Sequence, residues 1–366
     1  MESAHLQAAD TLESVARAIA EWTVDQHCSE DPSVEQRFGP DCRRLWRGDV
    51  QARIAHLVEA LAADEPSLFL ASAAWSRAAF IARDMGDADV LRSLNCLASV
   101  IREHVPAQVA QRSSAFIEAA MSAISSGSHT PASPLEHLGE QGTLARLYLL
   151  HLLQRDRDEA ERIVQQQLEG NMPLADVYER ILAPAMNEIG HMWHMREASI
   201  ADEHYCTSST LAIMARLRGE VSRKAANGLH AVACSSGGDM HDLGIRMVSD
   251  LLETEGWSVE CLGANMPTPD VVEAVGPQPH RGPSDLLLVS AGTPLAIRGV
   301  ASLIGAVRQT LGKSAPATLV GGMPFHLAPN LWKKVGADGF SARAGLASAA
   351  GLELVRGRRS SGQLNG

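Results

Sequence analysis

Ser235-Ser236-Gly237-Gly238-Asp239-Met240-His241-Asp242-Leu243-Gly244 sets a carboxylate and an imidazole, flanked by glycine, between two regular elements. Before it, Leu229-His230-Ala231-Val232-Ala233-Cys234 reads as a short buried strand. After it, Ile245 to Leu252 carries apolar residues at helical spacing. The loop thus falls at the carboxyl end of a first strand, where open α/β sheets bind ligands. A metal-bound histidine usually hands its second ring N–H to a carboxylate, which fixes its tautomer and strengthens it as a donor. Asp239 and His241 are placed to supply that pair. No Gly-x-Gly-x-x-Gly follows the strand, which argues against a dinucleotide site.

Strand patterns recur near 229–234, 257–262, 285–290, 316–320 and 338–341, each followed by a helical one, and predict a flavodoxin-like (Rossmann-type) parallel α/β domain over 228–356. Two further loops leave its strands, Ser290-Ala291-Gly292-Thr293 and Gly321-Gly322. Upstream, 135–222 reads as a four-helix bundle. Its third helix carries a stripe from Leu174 through Val177, Ile181, Ala185 and Ile189 to Met192, and its fourth is opened by the capping box Ser199-Ile200-Ala201-Asp202. A Ser/Pro-rich linker at 125–134 separates the bundle from an all-helical segment, 1–124, in which Thr11 to Cys28 reads as one long amphipathic helix and Val50 to Leu61 as another. The polar tail 357–366 is expected to be flexible.

With 366 residues, 45% apolar and 20% charged, the chain has the composition of a soluble multidomain protein. Its net charge of −11 gives no basic surface for nucleic acid. No apolar run reaches the ~18 residues of a membrane span, and a cytoplasmic protein is expected. The six cysteines lack CxxC pairing and read as reduced thiols.

Asp239-x-His241-x-x-Gly244 resembles the Asp-x-His-x-x-Gly signature of cobalamin-binding domains, and the two later loops agree with it in order. The resemblance implies that His241 is the lower ligand of cobalt. It implies further that Asp239, Asp242, Gly244, Ser290, Gly292, Thr293, Gly321 and Gly322 surround the corrinoid and its displaced nucleotide tail. Gly292 departs from the family, which usually has a larger residue there. A bundle ahead of such a domain resembles CarH-type photoreceptors, in which Trp and Glu ten positions apart, each followed by His, mark the face above the corrin. Trp193-His194 and Glu203-His204 match that spacing. Adenosylcobalamin is then the implied cofactor, with Trp193 over the adenine, Glu203 on the ribose and His194 as upper cobalt ligand after photolysis.

The first 124 residues hold no DNA-reading helix. An all-helical unit in that place is similar to that of photocobilins, which implies a biliverdin. Arg43, Arg44 and Arg47 around Trp46, together with His56, are the candidate residues for this linear tetrapyrrole; the alternative is a domain that binds only protein. The leading expectation is a light-sensing, non-enzymatic receptor that signals to a protein partner or through homo-oligomer assembly. The alternative is a corrinoid carrier for methyl transfer. Trp193 and Glu203 separate the two, since a methyl ligand needs neither.

Overall fold

The computed structural model describes residues 1–127 and 133–363. The chain divides into two compact units, one of 1–131 with 327–334, the other of 132–326 with 335–366.

The first unit is helical: α1 (Ser3–Ser14), α2 (Ala16–Glu30), α3 (Ser33–Phe38), α4 (Cys42–Ala63), α5 (Pro66–Ile81), α6 (Asp87–His104) and α7 (Ala107–Ser125). The single helix expected over Thr11–Cys28 is two, because Val15 leaves helical geometry at φ −111° and ψ 5°. Leu12, Ile19, Ala20, Val24 and Cys28 keep one buried stripe across the break, so periodicity alone could not reveal it. Half of the expected linker, 128–132, lies outside the described residues.

In the second unit the bundle comprises α8 (Thr143–Leu153), α9 (Arg157–Glu169), a third helix, and α12 (Ile200–Glu220). The third begins as α10 (Leu174–Val177), widens into a π-turn at Tyr178–Leu182 and continues as α11 (Ala183–His194). The expected capping box is made: Asp202 N–H donates to Ser199 Oγ at 3.1 Å and Ser199 N–H to Asp202 Oδ2 at 2.9 Å.

The α/β part follows as β1 (His230–Ser236), α13 (Leu243–Thr254), β2 (Ser258–Met266), α14 (Thr268–Val275), β3 (Leu286–Ser290), α15 (Ile297–Leu311), β4 (Ala317–Gly321), α16 (Met323–Leu327), α17 (Leu331–Lys334), β5 (Gly339–Phe340) and α18 (Ala347–Gln363). All pairings are parallel and the strand order is β2-β1-β3-β4-β5. This order reverses direction between β1 and β3, the place where ligands sit in sheets of this kind. Ala231, Ala233, Leu286, Leu288 and Leu319 pack under Ile245 and Leu252 of α13 and Val355 of α18. Where the sequence suggests a flexible tail from 357, α18 stays helical through Gln363; 364–366 lie outside the described residues.

The bundle and α13 share one core. Met247 and Leu251 of α13 join Tyr148, Val177, Tyr178, Ile181 and Cys206. All six cysteines are free thiols. Among the described residues, no helix is long and apolar enough to cross a membrane.

Inside the first unit, burial lowers the His56 imidazole to about 4, and its Nδ1 is buried without a partner. The folded value lies below the ~6.5 of an unfolded chain, so the neutral ring contributes its full stability above pH 6.5 and loses it as pH falls toward 4. Amide hydrogen exchange in α4 is expected to show a loss of about 1–2 kcal/mol between pH 7 and pH 5. His56→Asn should flatten that dependence, and an equally steep profile in the variant would assign it to another group.

Candidate functional site

Three strand ends build the site. The β1 end carries Asp239 and His241, the β3 end carries Ser290 to Thr293, and the β4 end carries Gly321 and Gly322.

The Asp239 carboxyl group is almost fully buried, its side chain 1% exposed, whereas the His241 side chain is 66% exposed. Oδ1 of Asp239 lies 2.8 Å from His241 Nδ1 and accepts the His241 backbone N–H at 3.0 Å; Oδ2 accepts the Gly292 N–H at 2.7 Å. Burial pushes the Asp239 carboxyl up, but the hydrogen bonds from the His241 ring and from the Gly292 and His241 amides outweigh it and hold the group below its ordinary value. The ion-paired hydrogen bond to Asp239 raises the His241 imidazole, burial opposes it, and the carboxylates of Asp239 and Glu203 add to the rise. The ring is therefore held at Nδ1 and turned outward, with Nε2 left for a ligand.

Gly292 explains its own departure from the expected pattern. A Cβ at this position would lie 2.4 Å from His241 Cβ and 2.5 Å from Cγ. The imidazole rests on the bare backbone, so the larger residue expected here has no room. Gly322 repeats the device one strand further on, with φ at 107° and a Cβ position only 2.0 Å from the Ala291 carbonyl oxygen.

Asn265, at the end of β2, is a site residue the sequence reading missed. Its Oδ1 accepts the Gly238 N–H at 2.7 Å and its own N–H donates to the Asp239 carbonyl at 2.8 Å. Its φ of 54° lies in the left-handed region that asparagine tolerates better than most residues. An Asn just before Met266-Pro267 was the available signal. Ser235 Oγ completes the brace by donating to the His241 carbonyl at 2.9 Å. Asp242 faces Arg246 at 2.6 Å, one turn into α13.

Beside the loop, a cleft of about 570 Å³, part of it open to solvent, runs between α13 and the ends of β3, β4 and β5. Its walls are largely aliphatic, with Ile245, Val248, Leu288, Leu319 and Ala347, and its rim carries Gly244, Ser290, Gly321, Gly322 and Arg343. Of the residues expected at a nucleotide tail, Gly244, Ser290, Gly321 and Gly322 line this cleft, whereas Gly292 sits against the histidine and Thr293 heads the turn into α15.

From the bundle, Glu203 acts on the His241 ring through space while accepting the Thr207 hydroxyl at 2.9 Å. Trp193 stands 48% exposed in the last turn of α11, and His194 follows it, half-buried. Among the described residues, no three His, Cys, Asp or Glu side chains converge to hold a metal.

The arginine cradle expected in the first unit is not made. Trp46 is buried, edge-on to His27 at 4.6 Å and to Phe80 at 5.1 Å. Arg43, Arg44 and Arg47 lie on the exposed side of α4. Arg43 pairs with Glu35 and, at 2.8 Å, with Asp25; Arg44 faces Asp41 at 3.3 Å. The half-buried ring of His56 stands ten residues along the same helix.

Residues 144–218 and 229–350 each match a family model described as B12 binding domain. The monomethylamine corrinoid protein 2 of Methanosarcina acetivorans is 24% identical over 53% of this chain and 89% of its own length. The dimethylamine corrinoid protein of Methanosarcina barkeri is 25% identical over 52% and 88%. The solved monomethylamine corrinoid protein of Methanosarcina barkeri, 20% identical, superposes with a TM-score of 0.50 over 57% of this chain and 97% of its own. The fold over the second unit is thus that of a corrinoid protein, and this chain is a B12-binding protein. The relatives also correct an expectation: similarity runs to methylamine corrinoid proteins, which overturns the reading of the chain as a non-enzymatic photoreceptor.

Gly292→Ala is expected to leave the sheet folded and to push the imidazole off its carboxylate. Proton NMR checks it, since the downfield signal of the hydrogen-bonded Nδ1 proton should vanish. A persistent signal would show that the loop yields and that the close approach is not required.

Proposed function

We propose that this chain is a corrinoid protein that carries a methyl group between partner methyltransferases, with His241 as the protein's ligand to cobalt. One observation carries the reading: an outward-facing imidazole, fixed at Nδ1 by a buried carboxylate, beside an aliphatic cleft at the sheet's reversal point. The residues present fit a cobalamin. The bare backbone at Gly292 gives the imidazole its seat, and the cleft beside it has the apolar walls a nucleotide base requires. Bound cobalamin supplies a metal centre able to accept and release a methyl group.

The chain's own residues do the rest. Asp239 keeps the Nδ1 proton, so Nε2 carries the lone pair that faces outward. Because the Asp239 carboxylate also holds Gly292 N–H, it keeps the β1 and β3 ends together while the imidazole is engaged. Glu203, on the bundle, sets a negative charge that acts on the His241 ring. Methyltransferases that load and unload the group are the implied partners, as expected of a carrier and as the methylamine names of the relatives suggest.

A second reading of the upper ligand rests on Trp193 and Glu203: an indole and a hydroxyl-accepting carboxylate suit an adenosyl group better than a methyl. Replacing both by Ala should equalise the affinities for methylcobalamin and adenosylcobalamin if they select the larger ligand.

His241→Ala should leave the second unit folded, weaken cobalamin binding and change the visible spectrum of the bound form; Asp239→Asn should weaken binding by about 10–100-fold. Charging is the functional test. The reduced, cobalamin-loaded protein is mixed with a methylamine and its methyltransferase across mono-, di- and trimethylamine systems, and the spectrum of the methylated form is followed. Tight cobalamin binding without charging in any of them would sink the carrier reading.

A further inference from the structure

The π-turn at Tyr178–Leu182 reaches the α/β part with two consecutive side chains. The buried Tyr178 hydroxyl donates to Asp250 Oδ2 of α13 at 2.9 Å. Glu179 grips the loop after β5: Oε2 accepts from Arg343 Nε at 2.9 Å and from Nη2 of the same guanidinium, and Oε1 accepts the Gly345 N–H at 2.8 Å. That loop is one wall of the aliphatic cleft, to which Ser341, Ala342, Arg343 and Ala344 contribute.

Two more contacts seat the same loop on the bundle. Ala344 packs against the bundle core, and a Cβ on Gly345 would come within 3.2 Å of Ala175 Cβ. Arg343 is 58% exposed and Glu179 only 15%, so the guanidinium comes to a carboxylate that the bundle already holds in place. Water screens such a pair, which makes its part in overall stability small and its part in geometry the larger one. A π-turn is a rare irregularity in a helix and occurs most often at functional sites. Here it aims adjacent residues at α13 and at the β5 loop, the two sides of one cleft.

We infer that Glu179 is a positioning residue for the nucleotide tail of the corrinoid: from the bundle, it fixes the Arg343–Gly345 wall of the cleft that receives the tail. The inference rests on the proposed reading that the cleft takes this tail. Neither Glu179 nor Arg343 touches the metal ligand, so binding of the corrin ring itself should not feel them.

The test compares cobalamin with cobinamide, which has the same ring and no nucleotide base, by titrating the full chain and following visible absorbance. Wild type should bind cobalamin more tightly. Glu179→Ala should lower cobalamin affinity on the order of tenfold, the loss usual when a residue that orients another is removed, and leave cobinamide affinity unchanged. The reversed pair, Glu179→Arg with Arg343→Glu, should recover part of the loss, which a general weakening of the bundle would not allow. Equal losses for both ligands, or no loss for either, would overturn the inference while the cleft keeps its place as tail site. If wild type binds both ligands equally, the cleft is not the tail site, and the inference falls with that reading.

Discussion

One buried carboxylate sets the geometry of this protein's site. Asp239 is withdrawn from water, an unfavourable place for a charge, and is held there by hydrogen bonds from the His241 ring, the His241 amide and the Gly292 amide. Those bonds dictate much around them. The β1 loop must turn back on itself, with Gly238 at φ 87° and Asn265 bracing it from β2. The β3 loop must bring a bare backbone to the imidazole, which Gly292 provides. The β4 loop must in turn reach the Ala291 carbonyl, which only a glycine at 322 allows. Three loop tips are therefore stacked in sequence, and the ring at the end of the stack is held at Nδ1 although it stands in solvent.

Local pattern carried the α/β part of this fold in the sequence. β1, β3 and β4 are short buried apolar runs, each followed by a helix, so a parallel sheet could be read from the alternation. The Asp-x-His-x-x-Gly loop was legible for the same reason, since its residues act on neighbours two positions apart. Contacts made across the chain were not legible. Gly292 read as a departure from a pattern because the ring that occupies its missing side chain comes from a loop about fifty residues earlier. Tyr178 and Glu179 carried no marker either: their partners lie on other elements, and nothing in their own segments names them.

The first unit shows how a cluster in sequence can separate in space. Cys42, Trp46, Val50, Arg53 and Leu57 fall on the buried face of α4, at helical spacing. Arg43, Arg44 and Arg47 fall between them and are exposed, with Arg43 paired to Asp25 and Glu35 and Arg44 facing Asp41. Charge and indole are neighbours along the chain, yet the arginines are exposed and the indole is buried. The stripe through Trp46 was present in the sequence, and weighing it against the arginines would have assigned the indole to the core.

The bundle is a structural part of the binding domain. Met247 and Leu251 of α13 complete its core, Tyr178 hydrogen-bonds to Asp250 on the same helix, and Ala344 of the cleft wall packs on it as well. Residues that close a site from above usually need freedom to leave it, and these contacts instead tie α10 and the π-turn to both sides of the cleft. The other end of the third helix differs: Trp193 is exposed there, and the chain turns through Arg196, at φ 63°, before Ser199 caps α12. On the proposed carrier reading, a cargo must be sheltered and also surrendered to a partner, and an arrangement anchored at the cleft and exposed at Trp193 would allow the second without loosening the Arg343–Gly345 wall.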